Sequence, residues 1–462
     1  MLKLKPLNKN IDIIRPYIKN CKGEFNELTL GSRFLWGADE LAEYDYFNDA
    51  LILRETYDEG SYFYFPLGDF EKAKTAVKEI ENYAIEKGVP LNFCCLNASQ
   101  LDYLKSIYPL YEIGELRDWA DYVYPVEQFL TYSGKKLSGQ RNHVHKFNRT
   151  YPDYKVNLIT ESDKPLIKKF LDEFAAENEL DGWAAEEMPK AYELLDNMDY
   201  LDQFGIFITV GGKIISLSIG EIVGETLFVH IEKALKEYAG AYPKTAQEFA
   251  KTFYNPDIKW INREEDCGDL GLRTSKTQYH PCEIRMKPFM EVKTVFDKIQ
   301  KPFLIKTERL EITENFGFDG FCRLCTDQTI NKFWGFDYRD DISGEPTDEK
   351  FKTLVNNLKD KKEEFSLAVK NNGNYIGEIV LWDFNYQNEL QIGFRFFKKY
   401  QGLGYATESV KAVVNYLLYE LKVKSVKAYC YKENLPSVKL LQKTGFDLIN
   451  NDEKYYYYKL TK

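Results

Sequence analysis

The spacing of apolar residues along the chain predicts an alternation of helices and strands. Helical spacing of three and four is clearest over residues 69–87, 240–253 and 404–421. We also predict helices over residues 9–20 and 318–325 and one strand over residues 305–312. Residues 205–232 and 364–396 each contain three apolar, β-branched runs that are separated by short polar turns, which is typical of three-stranded meanders. Helices are then expected on both faces of mixed sheets. The predicted fold class is therefore α/β with mixed α+β sheets.

The order of these elements suggests three folds of one kind. We predict boundaries that give segments 1–133, 134–297 and 304–462, the last of which follows a polar stretch at residues 298–302. The second and third segments share one order of helices, a meander, a helix and a strand. This shared order indicates a structural repeat that is not visible as sequence identity.

Composition excludes a disordered chain and argues against a membrane-spanning one. Of 462 residues, 44% are hydrophobic and 29% charged, which is enough apolar material for packed cores. The most apolar stretch, residues 204–220, is broken by Gly211, Gly212 and Lys213 and is too short to cross a bilayer. No apolar leader follows Met1, so we expect a cytoplasmic protein without stable membrane insertion.

Charge and reactive side chains are distributed unevenly. The net charge is −10, with −12 in the first 300 residues and +2 in residues 301–462, and an acidic surface disfavours nonspecific nucleic-acid binding. Cys322 and Cys325 form the sole CxxC pair, without partners for a zinc site, so no metal is expected. The four histidines all precede residue 300. Chemistry in the third segment therefore has no imidazole base.

The strongest chemical signal is a glycine-rich turn at residues 401–408 that follows a strand and begins a helix. Such a turn exposes backbone N–H groups at the positive end of the helix dipole. Gly402 and Gly404 let the backbone approach an anion closely. The turn is therefore suited to a pyrophosphate group, although Gly-x-Gly alone is a weak signal.

The context of this turn resembles the GNAT superfamily of N-acyltransferases. Gln401-x-x-Gly404-x-Ala406 matches the superfamily motif Arg/Gln-x-x-Gly-x-Gly/Ala, and residues 392–396 with Tyr400 resemble its fourth strand. Residues 434–438 and 443–446 are similar to its next motif. Residues 307–310 resemble the opening of the ribosomal-protein N-acetyltransferase branch. The resemblance covers residues 304–462.

The resemblance implies acetyl-CoA as co-substrate and direct attack by an amine on its thioester. The implied cofactor-binding residues comprise the turn, the fourth strand and one amide, namely Gln401, Gly402, Leu403, Gly404, Tyr405, Ala406, Thr407, Phe394, Arg395, Phe396 and Asn434. The implied acceptor is an amine-bearing small molecule or a peptide N-terminus. Residues 318–347, which include Trp334 and Phe336, are expected to line the acceptor pocket.

The catalytic groups depart from the superfamily pattern. Leu441 stands where a tyrosine acid is often found, which leaves Ser437 as the candidate acid or a simple helix-terminal hydroxyl. Gln391 stands where a glutamate base is often found. Glu389, on the same strand face, and Glu378, on the preceding strand, are candidate bases or solvated carboxylates, and a water chain is the alternative to both.

The first 290 residues contain a concentrated basic stretch at residues 135–149. Lys135, Lys136, Arg141 and Lys146 are candidates for binding tRNA or another phosphate ligand, and the alternative is a solvated connecting helix.

Several motifs between residues 121 and 276 resemble an uncharacterised bacterial family related to the C-terminal domain of phosphatidylglycerol lysyltransferases. The motifs are Asp121-Tyr122-Val123-Tyr124, Arg141-Asn142-His143, Glu232-Lys233-Ala234, Asn262-Arg263-Glu264-Glu265-Asp266-x-Gly and Leu272-Arg273-x-x-Lys276. The resemblance implies two tandem GNAT-like folds over residues 1–290. Residues 238–242, before the helix of the second fold, lack the Gly-x-Gly grip, so CoA binding is not expected there, and an acyl donor without a pyrophosphate, such as aminoacyl-tRNA, is left open.

Together these resemblances predict three GNAT-like acyltransferase folds, the last of which is an acetyl-CoA-dependent N-acetyltransferase acting on a primary amine. Two alternatives remain for the first 290 residues. One is aminoacyl transfer from aminoacyl-tRNA, and the other is a non-catalytic module that binds a small molecule or peptide.

Overall fold

Three mixed sheets, each with helices packed on it, organise the chain, as the sequence predicts. The computed structural model describes residues 2–19, 21–37, 41–57, 60–178, 182–314 and 321–462. The chain divides into a first unit of Met1–Tyr83, Leu91–Gln100 and Ile113–Met290, and a second unit of Ala84–Pro90, Leu101–Glu112 and Glu291–Lys462. The boundaries predicted for segments 1–133, 134–297 and 304–462 stay predictions.

The strands among the described residues are β1 (Lys5–Pro6), β2 (Ala42–Phe47), β3 (Ala50–Tyr57), β4 (Gly60–Tyr64), β5 (Asn92–Cys94), β6 (Tyr111–Gly114), β7 (Asp121–Pro125), β8 (Lys155–Leu158), β9 (Phe204–Val210), β10 (Lys213–Val223), β11 (Thr226–Ala234), β12 (Trp260–Asn262), β13 (Glu283–Arg285), β14 (Phe289–Val292), β15 (Leu304–Lys306), β16 (Glu311–Thr313), β17 (Glu364–Asn371), β18 (Asn374–Trp382), β19 (Glu389–Phe396), β20 (Ser425–Tyr431), β21 (Asp447–Asn451) and β22 (Tyr455–Leu460).

The α-helices among the described residues are α1 (Arg15–Ile18), α2 (Leu30–Leu35), α3 (Phe70–Lys87), α4 (Ala98–Ile107), α5 (Val126–Thr131), α6 (Ser138–Thr150), α7 (Lys164–Asn178), α8 (Gly182–Asp196), α9 (Ala241–Phe253), α10 (Leu270–Thr277), α11 (Val295–Lys298), α12 (Phe321–Thr326), α13 (Gln328–Asn331), α14 (Asp348–Asp360), α15 (Tyr405–Asn415) and α16 (Leu435–Lys443).

The first unit is built on two sheets. One runs β1-β2-β3-β4-β5 through the strands that lie wholly in this unit, and the other has the order β13-β7-β12-β11-β10-β9-β8. In the second sheet β11 and β12 are parallel, whereas β9, β10 and β11 form an antiparallel meander. Helices α7 and α8 pack on this sheet through a continuous apolar core that includes Ile167, Leu194 and Leu217.

The second unit has one sheet with the order β15-β16-β17-β18-β19-β20-β22-β21. Its one parallel pair among the described strands is β19–β20. Helix α15 buries Val410 and Val413 in the core on one face, which also contains Ile392. Phe321 from α12 and Phe351 from α14 pack over the opposite face. Because both units follow their meander with a helix and a parallel strand, the predicted order of elements recurs in each.

The structure differs from the sequence predictions in places where periodicity is weak. Residues 305–312 form the hairpin β15–β16 rather than one strand, because Thr307 N–H bonds Leu310 O at 2.9 Å and closes a turn. The predicted helix over residues 9–20 is reduced to a short 3₁₀ turn and α1. Strands β2 and β3 carry many polar residues and were not predicted. The predicted helix over residues 318–325 begins outside the described residues, which resume with α12.

Candidate active site

The turn before α15 has the conformation that an anion-binding loop requires. Gly402 and Gly404 have φ angles of +75° and +83°, which glycine adopts without a steric penalty. A Cβ built on Gly402 would have no heavy atom within 4 Å, so the turn is open there. Helix α15 begins at Tyr405, and the N–H groups of its first turn have no acceptor within the helix. The loop therefore presents backbone donors at the positive end of a helix dipole.

Arg309, in the turn of the β15–β16 hairpin, holds this loop in place. Its guanidinium donates to Leu403 O at 3.1 Å, pairs with Glu408 at 2.6 Å, and lies 4.6 Å from the ring centre of Tyr405. Burial alone would raise the pKa of Glu408, but hydrogen bonds from Thr307 and Arg309 hold that pKa below its ordinary value. Local sequence patterns do not reveal this contact, because Arg309 is about a hundred residues away from Leu403 and Glu408.

The other loop residues divide into exposed and supporting positions. Gln401, Gly402, Leu403 and Gly404 are exposed, whereas Tyr405, Ala406 and Thr407 are half-buried at the start of α15. The Gln401 side-chain amide donates to Phe396 O at 2.9 Å. Gln401 therefore ties the loop to the end of β19.

Strands β19 and β20 diverge next to this loop. They pair only over Glu389–Ser425, Leu390–Val426 and Gln391–Lys427. Residues 392–396 of β19 keep their pairing with β18 on the other side, as far as Phe396 with Gly377. The edge of β19 that faces β20 is thus not paired with β20 over residues 392–396, which includes Phe394, Arg395 and Phe396. An extended ligand can add to such an edge by main-chain hydrogen bonds.

The Arg395 side chain is buried in an ionic cluster on the face that α12 covers. It pairs with Glu378 at 2.6 Å, donates to Cys325 Sγ at 3.0 Å, and stacks 4.4 Å from the Trp334 ring centre. Burial raises the pKa of Glu378 although Arg395 opposes this, and Glu378 Oε2 has no hydrogen-bond partner among the described residues. Only the main chain of Arg395 is therefore placed for a ligand along β19.

Glu389 lies on the same face of the sheet but in a different environment. It accepts hydrogen bonds from Ser425 at 2.8 Å and Lys459 at 3.1 Å, and pairs with Lys427 at 2.6 Å. Burial alone would raise the pKa of Glu389, but these donors lower it to about 2. A carboxylate with so low a pKa is a weak proton acceptor.

Ser437 and Asn434 lie together at the start of α16. The Asn434 side-chain oxygen caps the helix by accepting from Ser437 N–H at 3.4 Å, and both residues are half-buried. The structure thus brings Ser437 and Asn434 to one helix end. It places Glu378 and Glu389 apart, each in its own ion cluster.

The second sheet of the first unit shows the same divergence of parallel strands. Strands β11 and β12 pair only from Thr226–Trp260 to Phe228–Asn262, after which β11 continues to Ala234. Here, however, buried ionic side chains extend from β11 toward the segment after β12. His230 lies between Glu221, at 2.9 Å from Nε2, and Glu264, at 2.6 Å from Nδ1. Burial alone would lower the pKa of His230, but the two carboxylates raise it to about 10.

A second buried ion pair, between Arg263 and Glu232, leaves polar atoms without partners. Arg263 Nη2 donates to Glu232 Oε1 at 2.8 Å, and the guanidinium lies 4.6 Å from the Tyr279 ring centre. The two side chains are only 10% and 7% exposed. Within the described part of the chain, Arg263 Nη1 and Glu232 Oε2 have no hydrogen-bond partner. Lys276, from the same motif, donates to Arg263 O at 2.6 Å.

The start of α9 differs from the start of α15. Gly240 precedes α9 with φ +90°, and a Cβ there would lie 2.6 Å from His143 O of α6. Helix α6 therefore covers the helix end at which a pyrophosphate would bind. The same helix carries the basic stretch. Val144 and Phe147 of α6 are buried, whereas its positively charged residues outside this contact mostly face solvent.

Of the four candidate phosphate-binding residues, Lys135, Lys136 and Lys146 are exposed. Arg141 is half-buried and donates to Tyr132 O at 2.5 Å and Gly134 O at 2.9 Å. Three of the four cations are thus directed to solvent, and Arg141 supports the preceding turn.

The family profile described as "Phosphatidylglycerol lysyltransferase, C-terminal" matches residues 23–287, which is more than half of the chain. The chain belongs to this family. A second profile, described as "Acetyltransferase (GNAT) domain", matches residues 312–447. This member of the lysyltransferase C-terminal family thus also carries a GNAT acetyltransferase domain. Both family resemblances seen in the sequence are confirmed.

Individual relatives agree with this division. The uncharacterised N-acetyltransferase YnaD of Bacillus subtilis is 33% identical over 100 residues, which are 21% of this chain and 59% of that protein. The uncharacterised protein MYCGA3080 of Mycoplasmoides gallisepticum is 25% identical over 197 residues, or 40% of this chain and 60% of that protein. The chain thus spans about three fifths of the length of these curated relatives.

A solved structure supports the fold of the larger part of the chain. A conserved protein of unknown function from Bacteroides thetaiotaomicron is 27% identical, with a TM-score of 0.58, and the match covers 63% of this chain and 100% of that one.

The GNAT domain of this lysyltransferase-family member implies acetyl-CoA as co-substrate. The open turn at Gly402 and the unpaired edge of β19 fit such a group. Among the described residues there is no group of three or more His, Cys, Asp or Glu side chains able to hold a metal ion. None of the described helices combines the length and apolar character needed to cross a bilayer.

Proposed function

We propose that the GNAT domain transfers the acetyl group of acetyl-CoA to a primary amine. The observation that carries this proposal is the open glycine turn at Gly402 and Gly404, which lies beside the diverging strands β19 and β20. One feature offers donors for a pyrophosphate, and the other offers a strand edge for an extended amide chain. A CoA thioester contains both groups.

The proposed binding roles follow from these two features. Backbone N–H groups from Gly402 to Thr407 would hold the pyrophosphate, with Arg309 keeping the loop in position. The main chain of Phe394, Arg395 and Phe396 would pair with the amides of the pantetheine arm. The Asn434 side-chain amide would donate to the same arm.

In the reaction the amine nitrogen bonds to the thioester carbon, the C–S bond breaks, and the sulfur leaves as a thiolate that must be protonated. The Ser437 hydroxyl is our candidate donor to that thiolate. The proton lost by the amine goes to a carboxylate or to water. Glu378, whose pKa is raised by burial, is a better acceptor than Glu389, whose pKa is about 2.

Thiol release from acetyl-CoA in the presence of a panel of primary amines tests this proposal with the full chain. We expect amine-dependent release that falls about 100-fold in kcat for Ser437→Ala. The matched control is Ser106→Ala, an exposed serine in the Leu101–Glu112 part of the same unit, which should leave the rate unchanged. The absence of amine-dependent release would contradict the proposal.

We infer a second activity for the first unit, acyl transfer from a donor without CoA, such as aminoacyl-tRNA. The specific support is the cleft between β11 and β12, where Arg263 Nη1 and Glu232 Oε2 lack partners while α6 covers the start of α9. A buried unpaired donor and acceptor are costly unless a ligand satisfies them.

Binding of a radiolabelled aminoacyl-tRNA at low and moderate salt tests this second activity. We expect salt-sensitive binding that weakens when Lys135 and Lys136 are both replaced by glutamine. The control is Lys155→Gln, an exposed lysine on β8. Binding that is absent at low salt would instead favour a non-catalytic binding module.

A further inference from the structure

The second unit has an aromatic cavity on the sheet face opposite α15. Cross-strand pairing puts Tyr429 of β20 opposite Tyr457 of β22, and Tyr431 opposite Tyr455, so these rings share one face. The Tyr429 ring centre lies 5.4 Å from Tyr455 and 6.3 Å from Trp382, in both cases nearly perpendicular. Tyr429 is nevertheless 40% exposed. A large aromatic side chain at the centre of a ring cluster is thus accessible to a ligand.

The cavity has a volume of about 320 Å³, which is within the range of small-molecule sites. Its lining consists of aromatic, apolar, amide and lysine residues: Gln391, Lys427, Ala428, Tyr429, Ile449, Tyr455, Tyr457 and Tyr458. Two carboxylates bind polar groups of this lining: Asp383 accepts a hydrogen bond from Gln391 at 2.9 Å, and Asp452 accepts one from Tyr457 OH at 2.7 Å. The charge of Lys427 is paired with Glu389 at 2.6 Å.

The position of the cavity relates it to the proposed transfer. Gln391 and Lys427 form the last pair of β19 and β20 before the two strands diverge. The glycine turn and α15 lie against the other face of this sheet, where Val410 and Ile392 share a core. Helices α12 and α14 cover part of the face that carries Tyr429, but the region around Tyr429 itself is exposed and is left open to the acceptor by a donor held at the glycine turn.

We propose that this cavity binds the ring of an arylalkylamine, a primary amine on a short arm attached to an aromatic ring. The inference rests on the proposed acetyl transfer and names its acceptor class. Edge-to-face and offset contacts with Tyr429, Tyr455 and Tyr457 would hold an aromatic ring. Polyamines and aminoglycosides have no aromatic ring to make these contacts, so the cavity favours an aromatic amine over them.

The test compares acceptors on the full chain at saturating acetyl-CoA, with thiol release as the measurement. The decisive pair is 2-phenylethylamine and 2-cyclohexylethylamine, which have the same arm and ring size but differ in aromaticity. We expect kcat/KM to be about 2- to 10-fold higher for the aromatic amine. Spermidine should be the poorest acceptor of the three.

Two variants test whether the preference for the aromatic amine arises from the cavity. Tyr429→Leu removes the ring and should raise KM for 2-phenylethylamine while leaving KM for acetyl-CoA unchanged, whereas Tyr429→Phe should retain the preference. Equal kcat/KM for the two ring amines would overturn the arylalkylamine assignment while acetyl transfer itself stands. A chain that fails to bind acetyl-CoA in a direct titration would overturn the proposed function and this assignment with it.

Discussion

At the scale of single residues, neighbouring charges of opposite sign set the pKa values of titratable groups in the two units. In the GNAT domain, hydrogen bonds from Lys427, Ser425 and Lys459 lower the pKa of Glu389 to about 2. Glu378 pairs with one buried arginine, Arg395, and burial raises its pKa. In the first unit, His230 lies between two carboxylates that raise its pKa to about 10. The same residue types therefore differ in proton affinity because their neighbours differ.

The raised pKa of His230 predicts a pH-dependent stability of the first unit. A histidine whose pKa rises from 6.5 to about 10 on folding stabilises the native state below pH 6.5, and this contribution is lost as pH rises toward 10. The difference in Tm between wild type and His230→Gln should thus be largest near pH 6 and shrink by pH 10. Thermal denaturation at several pH values measures it. A difference that stays constant would show that His230 does not gain a proton on folding.

At the scale of elements, the parallel pairs β11–β12 and β19–β20 each diverge after three residue pairs, but the helix that follows the meander starts differently in the two units. Gly404, directly before α15, is exposed to solvent, whereas Gly240, directly before α9, packs against α6. One helix end is therefore available to a phosphate group, and the other is occupied by protein.

Because Arg309 contacts the glycine loop, we predict that removing its side chain lowers the affinity for acetyl-CoA but leaves the fold intact. Removing the guanidinium in Arg309→Ala releases Leu403 O and Glu408, so the loop should be less ordered before binding. We expect acetyl-CoA affinity to fall about 10-fold. Calorimetric titration measures this. Lys306→Ala, which removes an exposed cation from the same hairpin, should bind like wild type, and an equal loss in both variants would argue for a general charge effect.

Sequence reasoning identified the elements whose signal is local. The glycine turn at residues 401–408 and the apolar stripe after it predicted α15 and its anion site, since both signals lie within one segment. The environments of Glu389 and Arg395 could not be predicted, because Lys427 and Lys459 come near Glu389 only through the strand register. Cys325 comes near Arg395 only because α12 packs on the sheet. The covered start of α9 likewise depends on α6, about a hundred residues earlier.

At the scale of the whole molecule, one chain combines a lysyltransferase C-terminal family domain and a GNAT acetyltransferase domain that differ in net charge. The acidic surplus belongs to the first 300 residues, and the exposed cations Lys135, Lys136 and Lys146 stand out within it. Because these cations are concentrated in an otherwise acidic part of the chain, we predict that any phosphate ligand of the first unit binds with a steep salt dependence. The affinity should fall by about an order of magnitude or more between 50 and 200 mM salt. Fluorescence anisotropy with a labelled tRNA measures this slope, and a flat salt profile would argue against phosphate contacts.

The central claim is that the glycine turn before α15 binds the pyrophosphate of acetyl-CoA. Calorimetric titration of the full chain with acetyl-CoA tests it most directly, by comparing wild type with Gly404→Val and Gly373→Val. Both glycines have positive φ angles, of +83° and +78°, and the space around Gly373 is open, so both variants carry a similar backbone strain. We expect wild type and Gly373→Val to bind acetyl-CoA and Gly404→Val not to bind it. Equal binding by all three proteins would contradict it.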